Sequence, residues 1–277
     1  MHDFPELTVA DLAAHPRHVV EKAVRSRSQV VYLGDGTVLA RVLGRYKMLL
    51  STKDRGFACH VMMDGYWEMW LTIFFARLIR PGMTVVDVGA NFGYYSLLFS
   101  DAVGPSGSVI AVEPVPTTAA TLTETLMLNG FASRAQVVAK ALTAKPDGTV
   151  HLVVPAGEPK NAAVVAQAGK NTVEVPATNF DELARDLRRC DLVKIDAEGS
   201  EAAILEGMQE TIARFHPALL LEFNVARYGD AADFLSRLRK SFGHPHMVDF
   251  DGAMRRVNDK TVLTQNVGED WLLYFPG

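Results

Sequence analysis

Three groups of residues in the 277-residue chain combine types and spacings that could do chemistry. The first is a glycine turn, Gly89-Ala90-Asn91-Phe92-Gly93, with Asp87 just before it and Glu113 about 20 positions after it. The second is Asp196-Ala197-Glu198-Gly199-Ser200-Glu201, three acids within six positions. The third is Glu222, an acid inside an apolar run that ends at Asn224. Glycines let the backbone approach a ligand closely, and a helix starting after them offers free N–H groups. An acid at the end of the next strand is placed to grip ribose hydroxyls. Three acids this close are costly to ionise together unless something cationic or proton-sharing sits among them.

The elements that must position these groups are legible around them. Residues 84–88 form a short Val-rich run closed by glycine, which suits a buried parallel strand. Residues 94–103 have helical spacing and stop at Gly104-Pro105. Residues 108–112 are a second buried strand, and Glu113 sits just past its end. Thr117 or Thr118 caps a helix that leaves through Asn129-Gly130. Residues 135–139, 192–196 and 218–223 supply the third, fourth and fifth strands, with Asp196 at the carboxyl edge where open parallel sheets bind ligands. Alternation puts Lys194 on the same face as Asp196, where it can pair with one of the acids.

The glycine spacing is not that of a dinucleotide site. G-x-G-x-x-G would need glycine at 91 and 94, where the chain has Asn91 and Tyr94. Asp87 would repel a pyrophosphate and attract a cationic ligand carrying an amino group. S-adenosylmethionine is such a ligand, with a ribose, a sulfonium and an ammonium but no phosphate.

The run from Asp87 to Ser96, the following Val112-Glu113-Pro114 and the later run from Val193 to Glu201 together resemble the FkbM-type S-adenosylmethionine-dependent methyltransferases. The resemblance spans roughly residues 60–275. It implies methyl transfer to a hydroxyl of a small molecule, sugar, glycolipid or natural product. It also implies a Rossmann-like α/β sheet, mostly parallel with an antiparallel C-terminal edge strand, flanked by helices. On this reading Asp87, Gly89, Ala90, Asn91, Phe92, Gly93, Glu113 and Pro114 hold the cofactor. Ala141 and Leu142 lie past the third strand, where such folds place adenine contacts. Glu198 is the expected base, Asp196 serves the cofactor ammonium or orients the base, and Glu222 faces the acceptor. Tyr66 and Glu68, on the segment that borders the cofactor in related enzymes, are further substrate candidates, with Asn161 and Asn224. Asp196, Glu198 and Glu222 offer hard oxygen ligands, but no histidine is spaced with them, and no metal is assigned.

Before residue 61 the chain reads as a small α+β extension, and residues 61–277 as the methyltransferase domain. Thr8 with Asp11 forms a weak capping box, and Pro16 divides the opening helical segment in two. Gly34-Asp35-Gly36 turns a hairpin over 29–43, and 46–50 add a strand. Residues 64–80 are expected as one amphipathic helix, 149–154 and 172–176 as strands with a long loop between them, and 271–275 as the closing strand. Asn179 or Thr178 caps a helix that follows.

The chain is 48% apolar, enough for one large core. No run reaches the ~20 apolar residues of a membrane span, and the N-terminus has no signal pattern, so a cytoplasmic protein is expected. The two cysteines are far apart in sequence and in no metal spacing. Net charge is −4, which argues against a nucleic-acid partner, although bases outnumber acids over 17–55. The extension could cover the cleft, recognise substrate or pair two chains as a homodimer. An NAD-linked oxidoreductase and a non-catalytic cofactor-binding module are the competing readings. Asn91 and Asp87 oppose the first, and the acids after the fourth strand oppose the second.

Overall fold

A capping box opens the chain's first helix, α1 (Val9–Ala14). The Thr8 hydroxyl accepts from the Asp11 N–H at 3.2 Å, and Asp11 accepts from the Thr8 N–H at 2.9 Å. Pro16 breaks the segment and α2 (Arg17–Arg25) follows. β1 (Val30–Gly34), β2 (Thr37–Val42) and β3 (Tyr46–Ser51) form an antiparallel sheet in that order. Asp35 and Gly36 both take positive φ, 49° and 75°, as a tight two-residue hairpin requires. The structure is a computed structural model that describes residues 6–146, 148–157, 161–165, 167–169 and 171–277.

The helix expected over 64–80 is shorter, starting only at Met69, with a separate helix just before it. α3 (Phe57–Asp64) ends at Gly65 with φ 77°, and α4 (Met69–Leu78) starts after Glu68 with φ 37°. Both left-handed residues are incompatible with a continuous helix. Residues 69 and 71–76 of α4 are buried, so this helix is covered on nearly every side rather than amphipathic.

The central unit is β4 (Thr84–Val88), α5 (Tyr94–Ala102), β5 (Ser108–Val112), α6 (Pro116–Leu128) and β6 (Ala135–Val138). All of β4 is buried, as a parallel strand covered on both faces must be. Neither threonine caps α6: Pro116 occupies its first position, where the missing N–H costs nothing, and Val115 precedes it. β7 (Ala141–Leu142), β8 (Gly148–Val153), β9 (Ala163–Val165) and β10 (Thr172–Thr178) make a separate sheet in the order β7-β10-β8-β9. The expected loop between 154 and 172 therefore contains a strand. Val164 of β9 pairs with Leu152 of β8.

Asn179 accepts from the Glu182 N–H and caps α7 (Phe180–Leu183). β11 (Leu192–Ile195), α8 (Glu201–Glu206), α9 (Gln209–Phe215), β12 (Ala218–Phe223), α10 (Ala231–Phe242), β13 (His246–Val248), β14 (Met254–Arg256), α11 (Asp259–Thr264) and β15 (Trp271–Phe275) complete the chain. The main sheet has eight strands in the order β14-β13-β15-β12-β11-β4-β5-β6. The five strands from β12 to β6 are parallel, and β15, β13 and β14 are antiparallel. The final strand does not close the sheet at its edge. It inserts between β12 and β13, and β14 is the edge.

Strand alternation divides the core. Val85 faces a cluster with α4, α5 and the N-terminal helices and sheet, while Val86 and Val88 face a second cluster with α8, α9 and α10. Among the described residues no helix is long and apolar enough to cross a membrane.

Candidate active site

The turn after β4 is shaped by contacts only glycine permits. Gly89 has φ 75°, and a Cβ there would stand 1.8 Å from the Asp196 carbonyl oxygen. Its N–H and that of Ala90 both donate to the Val112 carbonyl at 3.0 Å. These bonds tie the ends of β4 and β5 together. Asn91 also takes positive φ, 50°, which aims its N–H at Glu113 Oε2, 2.9 Å away. The other oxygen, Oε1, accepts from the Val115 N–H at 2.9 Å. Burial pushes the Glu113 carboxyl up to about 7, against the pull of these two N–H groups.

Beside this turn lies an open cleft. Gly89, Ala90, Asn91, Glu113 and Pro114 form one end, and Ala141 and Leu142 line it further along. Asp196, Glu198, Ser200, Lys194 and Glu222 form the other end. Phe57, Trp67, Tyr94 and Tyr95 make an aromatic wall with Glu68 among them, and Leu152 and Val164 of the small sheet and Ala162 just before β9 also line the cleft. Phe57 meets Trp67 edge-on, with centroids 5.3 Å apart. Glu68 accepts from the Tyr95 hydroxyl at 2.7 Å.

The acidic end is balanced by two long-range cations. Lys194 Nζ lies 3.4 Å from Asp87 Oδ1 and 3.5 Å from Asp196 Oδ2. Burial alone would pull this ammonium down, but Asp87 and Asp196 outweigh it and hold it above the ordinary lysine range. Arg227, on the 3-10 turn after β12, reaches Glu222 at 2.5 Å, Glu198 at 3.2 Å and Asp270 at 3.2 Å. Burial, then the nearby Asp196 charge, pushes Glu222 up to about 9 even with Arg227 beside it. Asp196, Glu198 and Glu222 each bring an oxygen within 4.8 Å of the others, close enough to share a cation. A divalent ion there would have to compete with the guanidinium that already serves two of them.

Glu198 sits at φ 51° beside Gly199 at φ 100°, an uncommon backbone for glutamate. Glu201 holds this loop. Its Oε1 accepts from the Ala197 and Gly199 N–H groups at 3.0 and 3.2 Å, and its Oε2 accepts from the Tyr228 hydroxyl at 2.9 Å.

Six residues singled out in the sequence do not line the cleft. Asp87 alternates onto the α5 face of β4, fully buried, where Oδ2 accepts from the Ser96 hydroxyl at 2.6 Å and Oδ1 faces Lys194. Its charge is met inside the protein, so the expected direct pull on a cationic ligand does not arise from this residue. Phe92 stacks beneath Phe57 at 6.3 Å. Gly93 starts α5 at φ 97°, where a Cβ would stand 2.3 Å from Leu122 Cδ1. Tyr66 takes a hydrogen bond from Arg25, and Asn224 bridges Asp270 and the Ala226 N–H. Asn161 lies next to Ala162 on the small sheet's approach but is not itself on the wall. Sequence reasoning missed the aromatic wall and Arg227. The aromatics carried a helical-core signal, and nothing local marks an arginine that acts across 43 positions on Asp270.

A sequence model of the Methyltransferase FkbM domain matches residues 87–255, more than half of the chain. Methyltransferase sdnD of Sordaria araneosa is 27% identical over 158 residues, 46% of this chain and 60% of that protein. The protein-L-isoaspartate O-methyltransferase of Aeropyrum pernix is 42% identical over 59 residues, 21% of this chain and 23% of that one. The chain thus spans less than two thirds of these curated relatives. Among solved structures, methyltransferase FkbM from Methylobacillus flagellatus aligns with a TM-score of 0.43 at 20% identity, covering 75% of this chain and 53% of that one. With both glycine-turn and acid motifs inside the matched segment, the chain belongs to the FkbM methyltransferase family.

Proposed function

We propose that this protein is an S-adenosylmethionine-dependent O-methyltransferase acting on a hydroxyl of a small molecule, sugar or glycolipid. The observation that carries the reading is one cleft with a backbone-held acid, Glu113, at its glycine end and the Asp196-Glu198-Glu222 cluster at the other.

The residues present fit the cofactor. Gly89 borders the cleft with backbone alone, and Glu113 keeps lone pairs free for ribose hydroxyls after accepting two N–H bonds. Ala141 and Leu142 offer apolar surface for a base. Asp196 lines the cleft and is the carboxylate suited to the cofactor ammonium. When bound, S-adenosylmethionine supplies an electrophilic methyl on a sulfonium.

The acceptor O–H is a weak nucleophile while it holds its proton. Glu198 would take that proton as the acceptor oxygen receives the methyl group that the bound cofactor would supply. Arg227 keeps Glu198 oriented, and Glu222 shares the same guanidinium. The aromatic wall excludes water from the acceptor side.

Glu198→Gln tests the assignment with a panel of sugar and polyol acceptors. Turnover falls about 10²- to 10⁴-fold while S-adenosylhomocysteine affinity, measured by calorimetry, stays within a few-fold. Turnover close to that of the parent removes Glu198 as the base. Absence of S-adenosylhomocysteine binding to the parent removes the whole reading.

A further inference from the structure

The outer edge of the N-terminal sheet is apolar and uncovered. Val30, Val31, Tyr32 and Leu33 of β1 are 41%, 56%, 64% and 55% exposed. No strand lies beyond β1 among the described residues. Sheet edges are usually guarded by a charge or a proline, and β1 carries neither from Val30 to Gly34.

The hydrogen-bond pattern says which groups are free to pair. The Arg41 N–H donates to the Gln29 carbonyl at 2.8 Å, in register with the ladder that pairs Val30 with Ala40. Antiparallel bonding alternates, so Gln29 and Val31 bond toward β2, and Val30 and Tyr32 turn their N–H and C=O outward. The register shifts after Tyr32, which ends the usable edge there.

From this edge we infer that β1 pairs antiparallel with β1 of a second copy of this chain, with Val31 on the two-fold axis. Symmetry requires that a residue face its own mate, because an axis between residues would exchange a bonded pair with an unbonded one. Placing Val31 on the axis joins Val30 to Tyr32 of the other copy twice, using every outward group identified above. The same register sets Val30 beside the partner copy's Tyr32 on one face and Val31 against Val31 on the other, the kind of cross-strand contact that stabilises sheets.

Charge favours this orientation. The start of β1 follows Arg27 and lies beside Arg41, and its end leads into Asp35. Antiparallel pairing brings each acidic end toward the other copy's basic start. Parallel pairing would stack like ends. The two three-stranded sheets become one of six strands. An interface one strand wide belongs with those under about 1,200 Å², so the dimer exchanges with monomer rather than being permanent.

Sedimentation velocity from about 1 to about 200 μM, a range suited to small interfaces, should show a reversible monomer–dimer equilibrium. Val31→Lys places two ammonium groups against each other and should leave a monomer with unchanged circular dichroism. Cysteine scanning tests the register in a Cys59→Ser background, which removes the exposed native thiol. Val31→Cys should form an intermolecular disulfide readily, since facing unbonded residues have Cα atoms about 4.5 Å apart. Val30→Cys should not, because its own mate is offset by two residues, beyond the ~7 Å limit. A parent that stays monomeric at the highest concentration overturns the proposal. So does equal cross-linking by the two cysteine variants, or a monomer that uses this strand to bind vesicles of anionic lipid.

Discussion

At the glycine end of the cleft, Glu113 is held by two backbone N–H groups from its own and a neighbouring turn. At the other end, Glu198 and Glu222 are held by one arginine side chain that also serves Asp270. Backbone donors cannot swing away, so the first carboxylate is part of the fold. A guanidinium on a flexible stem can re-form its contacts, so the second group is adjustable. On the proposed function the difference would suit two tasks: a fixed grip on a ribose, and acids that accommodate an acceptor and a moving proton.

Gly89→Ala attacks the point where the two ends touch. A Cβ 1.8 Å from the Asp196 carbonyl, at φ 75°, forces β4 and β11 apart. We expect a loss of about 4 kcal/mol or more in urea unfolding, or failure to fold. A variant that folds normally would mean the ends are not rigidly joined.

Arg227→Met separates the ends. Glu198, Glu222 and Asp270 lose their shared cation, and the guanidinium side chain is 25% exposed, so solvent softens the effect. The expected cost is about 2 kcal/mol in unfolding, with S-adenosylhomocysteine affinity changed only a few-fold. A large affinity loss would show that the glycine end depends on the acidic one.

Titration distinguishes the ends by window. Glu113 has a folded value near 7 against 4.5 as a free side chain, so folding takes up a proton between the two. Its contribution to stability is complete below about 4.5 and is lost as pH rises through about 7. Ribose hydroxyls donate to the ionised form, so S-adenosylhomocysteine affinity should rise about tenfold from about pH 6 to about pH 8. Glu113→Gln should abolish that rise. Glu222, raised from 4.5 to about 9, adds to the same loss below about 7 and carries it alone above, so Glu222→Gln should abolish the part above about 7 and lessen the slope below it.

Much of this arrangement was legible along the chain. Gly89, Ala90, Asn91, Glu113, Pro114, Ala141, Leu142, Glu68, Asp196, Glu198 and Glu222 were all singled out from their neighbours, and all border the cleft. Asp87 was misplaced because strand alternation, not nearness to the turn, decides which way a side chain points. The helix over 64–80 was drawn too long because Glu68 adopts a left-handed backbone without being glycine. β9 was hidden in a segment without alternation, since pairing with β8 rather than its own pattern makes it a strand.

Short-range order in the chain was enough for the bend after β4, the spacing to Glu113 and the succession of buried parallel strands, because each depends on a few neighbouring residues and on backbone geometry. Folding in three dimensions alone set Lys194 against Asp87, Arg227 against Asp270 and β15 between β12 and β13. Those pairings join residues tens to more than a hundred positions apart. Their partners are chosen by where the sheet places each charge and by the cost of leaving it buried without a counter-ion.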